Sequence, residues 1–180
     1  MKKYNWGILG PGWIAGKMAE AMPFVPNANL YAVASRTKAK ADDFAGVYSI
    51  PKSYGSYEEL VKDPDVDVVY VATPHNMHYE HALLALEHGK NVLCEKPFAV
   101  NGREVREMIA KAKEKNVFLM EALWSRFLPN VIKAKELVDS GAIGKVKLLD
   151  ADFGLKVPFD PKHRLFNKEL IGGSLLDLGI

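Results

Sequence analysis

Cysteine is almost absent. Cys94 is the only one in 180 residues, so no internal disulfide can form, and the chain suits a reducing compartment. Long apolar runs are missing too, and nothing in the sequence approaches the ~18 residues of a membrane-spanning helix. Neither sign of charge dominates. With 24 Lys and Arg against 22 Asp and Glu, a net +2 gives no reason to expect nucleic acid or a membrane surface as partner. No internal repeat, charge block or Gly/Ser linker interrupts the chain. The opening Met1-Lys2-Lys3-Tyr4-Asn5-Trp6 lacks the apolar core and small-residue cleavage site of a secretion signal, which points to the cytoplasm.

What remains is an ordinary globular composition, 48% hydrophobic and 26% charged. The length exceeds one domain of ~100–150 residues and falls short of two. Short apolar runs at 4–9, 30–34, 66–72, 91–94 and 117–120 are nearly continuous in hydrophobicity. That pattern predicts strands buried on both faces of a parallel sheet. Helical patterns lie between them: 13–22, then 38–45 after a capping Thr37. A capping box, Ser56-Tyr57-Glu58-Glu59, opens a short helix that stops near Asp63-Pro64. Another helix, 77–87, lies between Asn76 as N-cap and Gly89. Asn101-Gly102-Arg103-Glu104 repeats the box before Val105, Met108, Ile109 and Ala112 at helical spacing.

This alternation predicts right-handed βαβ units in an α/β, doubly wound parallel sheet of Rossmann type over residues 1–121. From 122 to 180 the pattern changes. A helix at 129–140 closed by Gly141, a long strand at 145–153 and an apolar-striped helix at 171–180 read as the start of a second, incomplete domain.

Gly10-Pro11-Gly12-Trp13-Ile14-Ala15 follows the first strand and opens the first helix. In that context the glycines permit a tight turn and close approach of a pyrophosphate, and the small third position allows close packing of helix on strand. The free N–H groups at the helix start, at Gly12, Trp13 and Ile14, would bind phosphate oxygens. The bland alternative is a tight turn and nothing more. The second strand ends in Ser35-Arg36, with Lys40 a turn later, and has no carboxylate to bind a ribose 2′-hydroxyl. A hydroxyl, a guanidinium and an ammonium suit a 2′-phosphate, so NADP is favoured over NAD. Arg36 could instead be a solvated loop residue.

Two further strand ends carry polar clusters, Thr73-Pro74-His75-Asn76-Met77-His78 and Glu95-Lys96-Pro97. Open α/β sheets bind their ligands at such edges. Lys96 is the candidate for proton handling in a hydride-transfer reaction, and an ordinary Glu–Lys surface pair is the alternative. His75, His78 and His81 recur every three residues and raise a metal reading, with Cys94 as a further ligand. No set of ligands with a supporting shell can be identified, so no metal is expected. His78 reads better as a contact at the cofactor's edge and His81 as a helix-surface residue. Trp124 and Arg126 would wall a substrate and nicotinamide pocket, or else be plain core at a domain junction.

Taken in order, these segments resemble the glucose–fructose oxidoreductase/inositol dehydrogenase (Gfo/Idh/MocA) family of NAD(P)-dependent oxidoreductases. The stretch from Met120 to Pro129 sharpens the resemblance, as does Arg164-Leu165-Phe166-Asn167 followed by Gly172-Gly173-Ser174-Leu175-Leu176-Asp177-Leu178-Gly179. Both look like the trans-1,2-dihydrodiol dehydrogenase and NADP-dependent D-xylose dehydrogenase branch. The resemblance implies a Rossmann domain, then a substrate domain with a large open sheet that often dimerises. It implies a small sugar, polyol or dihydrodiol as substrate and no nucleic-acid or membrane partner.

By the same resemblance Lys96 and Asp177 are catalytic, and a cis bond precedes Pro97. Ser35, Arg36 and Lys40 match the 2′-phosphate positions, and Thr73, Asn76, His78 and Glu95 match the ribose and nicotinamide contacts. Ile171 stands where a Gly-Gly-Gly variant begins with glycine. The family's proton donor falls four residues after the aspartate, at position 181, and the sequence ends at Ile180. The chain therefore looks C-terminally truncated. In this form it is expected to bind NADP(H), to turn over weakly or not at all, and to self-associate through exposed apolar surface. The competing expectation is an NADP-binding sensor or scaffold module without catalysis.

Overall fold

A computed structural model describes residues 2–179. Six strands form one parallel sheet in the order β3-β2-β1-β4-β5-β6. They are β1 Tyr4–Leu9, β2 Ala28–Ala34, β3 Lys52–Tyr54, β4 Val68–Val71, β5 Asn91–Cys94 and β6 Leu119–Glu121. The helices that cross between them are α1 Trp13–Ala21, α2 Lys38–Tyr48, α3 Tyr57–Lys62, α4 His78–Glu87 and α5 Gly102–Lys115. Strand order reverses between β1 and β4, the position at which doubly wound sheets open a ligand crevice.

The strands sort their side chains by the two-residue period of a pleat. Leu9, Ala32, Ala34, Val69, Val71, Val92 and Cys94 face one way and pack against Leu60, Val61, Ala82, Ala85, Leu86, Met108 and Ala112 from α3, α4 and α5. Ile8, Val33 and Tyr70 face the other way, onto Ala15, Ala41 and Ala45 from α1 and α2. The near-continuous apolar strands are therefore those of a two-faced sheet. Cys94 is fully buried at the carboxyl end of β5, where burial first, then Glu95 and Glu121, push its thiol far above the usual range.

Helix starts follow the capping logic in two cases. Ser56 accepts from the Glu59 N–H, and Asn101 accepts from the N–H groups of Arg103 and Glu104. The reciprocal carboxylates land one residue early: Glu59 accepts from Gly55 N at 3.1 Å and Glu104 from Val100 N at 3.2 Å. Thr37 occupies the N-cap of α2 without a side-chain bond. Asn76 does not cap α4. It lies in a 3-10 turn, His75–Met77, and Met77 is the N-cap. The edge strand β3 escapes the sequence pattern because Lys52-Ser53-Tyr54 is short and polar, and it forms by pairing with β2.

Two expectations for the C-terminal part fail. The segment 145–153 is not a strand, since it has no strand neighbour among the described residues and its Leu148, Leu149 and Phe153 stand exposed. A strand makes no hydrogen bonds within itself and exists only beside a partner. The expected helix at 171–180 shrinks to the single turn α7, Ser174–Asp177, and Ile180 lies outside the described residues. Its start is blocked because Ile171 has φ 61° and Gly173 φ 127°, both outside the right-handed helical region. The preceding helix is found where expected, as α6 Pro129–Asp139, with Gly141 at φ 75° after it.

Replacing Asn101 by Ala removes both cap bonds of α5 and is expected to cost about 1 kcal/mol. Urea denaturation followed by far-UV dichroism measures it, and an unchanged midpoint would show that α5 does not depend on its cap.

Candidate active site

Because all six strands run the same way, their carboxyl ends share one edge, and backbone bonds knit that edge together. Just past each strand, an N–H donates to the end of a neighbour: Gly10 to Ala34, Ala72 to Leu9, Glu95 to Val71 and Ala122 to Cys94, at 2.7 to 3.1 Å. Ser35 N donates to Tyr54 O at 3.2 Å. The segments singled out in the sequence, those at Gly10, Ser35, Thr73, Glu95 and Trp124, therefore meet along this one edge.

Gly10 has φ +91°, and a Cβ there would lie 2.9 Å from the Ala72 carbonyl oxygen, so both conformation and space demand glycine. A Cβ on Gly12 would meet nothing within 4 Å, and Gly12 caps α1 with no side-chain bond. The first N–H groups of α1 thus face an open cradle. Trp13 is exposed and Ile14 half-buried. This arrangement fits the pyrophosphate of a dinucleotide. Ser35 is buried at the end of β2, while Arg36 and Lys40 project into solvent.

The Lys96-Pro97 peptide is cis. Lys96 Nζ lies 2.9 Å from Asp177 Oδ1 and also donates to the Asp177 backbone carbonyl. Arg164 approaches the other oxygen, Oδ2, at 3.4 Å, and His75 Nε2 lies 3.9 Å from Oδ1. Burial alone would raise the Asp177 carboxyl, but the Lys96 hydrogen bond and the charges of Lys96 and Arg164 outweigh it and hold it below the usual range. Asp177 is an ionised carboxylate with both oxygens engaged, 81 residues from the lysine it faces.

Glu95, expected to face the cofactor, is buried. One of its oxygens accepts from the Tyr70 hydroxyl and the other from the Lys96 N–H at 3.1 Å. Burial raises its carboxyl despite both bonds. Glu121 Oε1 accepts from Phe98 N at 2.8 Å. Tyr70 and Glu121 were not among the expected site residues. The traces they left in the sequence are a hydroxyl inside the valine run of β4 and a carboxylate at the carboxyl end of β6.

The histidines are placed differently from one another. His78 is completely buried, with Nδ1 2.7 Å from Pro97 O and Nε2 2.9 Å from Thr73 O, so neither ring nitrogen is turned toward an open cradle. His81 is buried as well, not on the helix surface. Its Nδ1 lies 2.9 Å from Thr73 Oγ1, and its ring meets Tyr57 edge-on. Among the described residues no group of three or more His, Cys, Asp or Glu is placed to hold a metal ion. Asn76 is exposed and Thr73 buried. Trp124 and Arg126 lie on an exposed 3-10 turn, Trp124–Phe127. Arg126, but not Trp124, lines an open hollow of about 310 Å³ with Met120, Glu121, Leu123 and Phe127.

The profile of an oxidoreductase family described as an NAD-binding Rossmann fold matches residues 4–123, and the C-terminal-domain profile of the same family matches 131–180. The chain belongs to the Gfo/Idh/MocA family. Its Rossmann domain is of the NAD(P)-binding kind. Trans-1,2-dihydrobenzene-1,2-diol dehydrogenase of Xenopus laevis is 49% identical over 177 residues, covering 97% of this chain and 53% of that protein. D-xylose 1-dehydrogenase (NADP(+)) of Hypocrea jecorina is 43% identical, covering 98% of this chain and 50% of that protein. Among solved structures, levoglucosan dehydrogenase in complex with NADH superposes with a TM-score of 0.84 at 30% identity, over 98% of this chain and 51% of the other. The chain spans about half the length of the curated relatives it matches. No described helix is long and apolar enough to cross a membrane.

Burial first, then neighbouring His78, holds the His75 imidazole down at about 4, against the pull of Asp177. A base depressed on folding favours the folded state fully above its unfolded value of 6.5, and the benefit fades as pH falls toward 4. Wild type should therefore lose stability between pH 6.5 and 4 more steeply than His75→Gln. Denaturation midpoints at pH 7 and pH 4.5 test this, and parallel losses in the two proteins would refute it.

Proposed function

We propose that this chain carries the cofactor site and part of the substrate site of an NADP-dependent dehydrogenase. The reaction moves a hydride between the nicotinamide and a CH–OH carbon of a sugar, polyol or dihydrodiol. One observation carries the reading: the Lys96 ammonium is held on the Asp177 carboxylate at the sheet edge where the glycine turn opens α1. A surface pair would not be assembled from residues so far apart with the aspartate buried. The names of the Xenopus laevis and Hypocrea jecorina relatives support the substrate class.

In this reading Lys96 Nζ orients the substrate oxygen and exchanges its proton, and Asp177 aims the lysine. The bound nicotinamide supplies the hydride chemistry. Gly10 and Gly12 make room for the pyrophosphate, with Trp13 and Ile14 at the helix start. Asn76 serves the ribose and nicotinamide side, with buried Thr73 and Glu95 supporting that edge from behind, and Trp124 and Arg126 border the substrate. Ser35, Arg36 and Lys40 select the 2′-phosphate. We also read 1–121 as the nucleotide domain and 122–180 as the start of a substrate and dimerisation domain, in a cytoplasmic homo-oligomer.

Isothermal titration tests the cofactor half. NADPH should bind more tightly than NADH, and Arg36→Ala should weaken NADPH about tenfold or more while leaving NADH unchanged, as expected for loss of a charged hydrogen bond. Equal weakening of the two nucleotides would remove Arg36 from the 2′-phosphate site.

Steady-state kinetics test the chemical half. In the gene product that carries this sequence, Lys96→Met should lower kcat at least 100-fold with little change in the NADPH Kd, within the range that removal of a proton-transfer group produces. Full activity in that variant would end the assignment.

A further inference from the structure

The turn that carries Lys96 is pinned at three successive backbone groups. Glu95 Oε2 accepts from Lys96 N at 3.1 Å, His78 Nδ1 lies 2.7 Å from Pro97 O, and Glu121 Oε1 accepts from Phe98 N at 2.8 Å. The first pin is local, because Glu95 is the adjacent residue. The other two come from elsewhere in the fold, His78 from the first residue of α4 and Glu121 from the end of β6. Of these two, His78 is the one wholly removed from water.

We propose that His78 is a positioning residue for Lys96: its imidazole donates from Nδ1 to the Pro97 carbonyl and so fixes the lysine's turn to the start of α4. Both ring nitrogens lie within reach of a carbonyl, a neutral imidazole donates to only one of them, and the proposal puts that proton on Nδ1, toward Pro97. With no exposure, the ring has no water to take its place on the carbonyl. On the opposite side of the ring Nε2 lies 2.9 Å from the Thr73 carbonyl oxygen, so the imidazole bridges the loop after β4 and the lysine turn. His78 also meets the His75 ring edge-on at 5.5 Å, and His75 in turn reaches Asp177 at 3.9 Å. The imidazole therefore stands behind both members of the Lys96–Asp177 pair. Only the purpose of the lysine rests on the dehydrogenase reading; the positioning itself does not.

The two amide side chains separate this role from simple packing. Asparagine places its amide nitrogen near the position of Nδ1, and glutamine places its own near Nε2. Trace acylation with acetic anhydride, quantified by mass spectrometry without nucleotide, reads the freedom of the Lys96 amine. Loss of one hydrogen bond should raise the Lys96 rate by about two- to tenfold in His78→Leu and in His78→Gln, with His78→Asn close to wild type.

Lys90 serves as the internal monitor, because its buried ammonium donates to the Asp63 and Val66 carbonyls and reacts only if the sheet loosens. The proposal is overturned if Asn frees Lys96 as much as Gln does, if neither Leu nor Gln changes the rate, or if Lys90 rises in step with Lys96. NADPH titration of the same variants is a separate measurement. Absent binding there would sink the dehydrogenase reading and leave the acylation result standing.

Discussion

The parallel direction of six strands is the constraint from which the site follows. Parallel pairing obliges every connection to cross back over the sheet, which puts helices on both faces and leaves loops free only at the two edges. The carboxyl edge then collects residues scattered from Gly10 to Ala122, and five backbone bonds lock neighbouring strand ends to one another. Side chains placed one or two residues past those bonds inherit their precision. Lys96 is such a side chain, and a small error in register at β5 would carry it to the wrong face.

The pair formed by Lys96 and Asp177 ties the C-terminal part into that edge. Both groups are largely withdrawn from water, a condition under which a charge tolerates solitude poorly. Arg164 shares the load at the other carboxylate oxygen, and His75 stands near the pair without adding charge at neutral pH. The cluster therefore combines one fixed negative charge with a cation that can lean on it or on a ligand. That versatility suits a group asked to hold an oxygen whose proton comes and goes.

Legibility in the sequence tracked how local each interaction is. The apolar runs of β1, β2, β4 and β5 could be read because burial on both faces leaves a continuous pattern, and the glycine turn because its spacing is dictated by backbone sterics. Capping at Ser56 and Asn101 could be read for the same reason, since the bonds close within four residues. β3 could not, because three polar residues become a strand only through β2 beside them. The run at 145–153 failed in the opposite sense: its apolar residues describe a strand, yet a strand is a property of a pair. In the site, the types of Lys96 and Asp177 were visible, and the family resemblance supplied their roles. The partners of Glu95 and His78 were not visible, because Tyr70 and Pro97 reach them through the third dimension.

Cys94 illustrates how much information a scarce residue can hold. Its sulfur lies at zero exposure between the sheet and the helices packed on one face, which must part before a reagent can touch it, and its surroundings disfavour the reactive thiolate. With no second thiol in this sequence, thiol-selective alkylation here has a single address. The rate at which a maleimide finds it is therefore a clock for the parting of helices from sheet, built into the native sequence without a label.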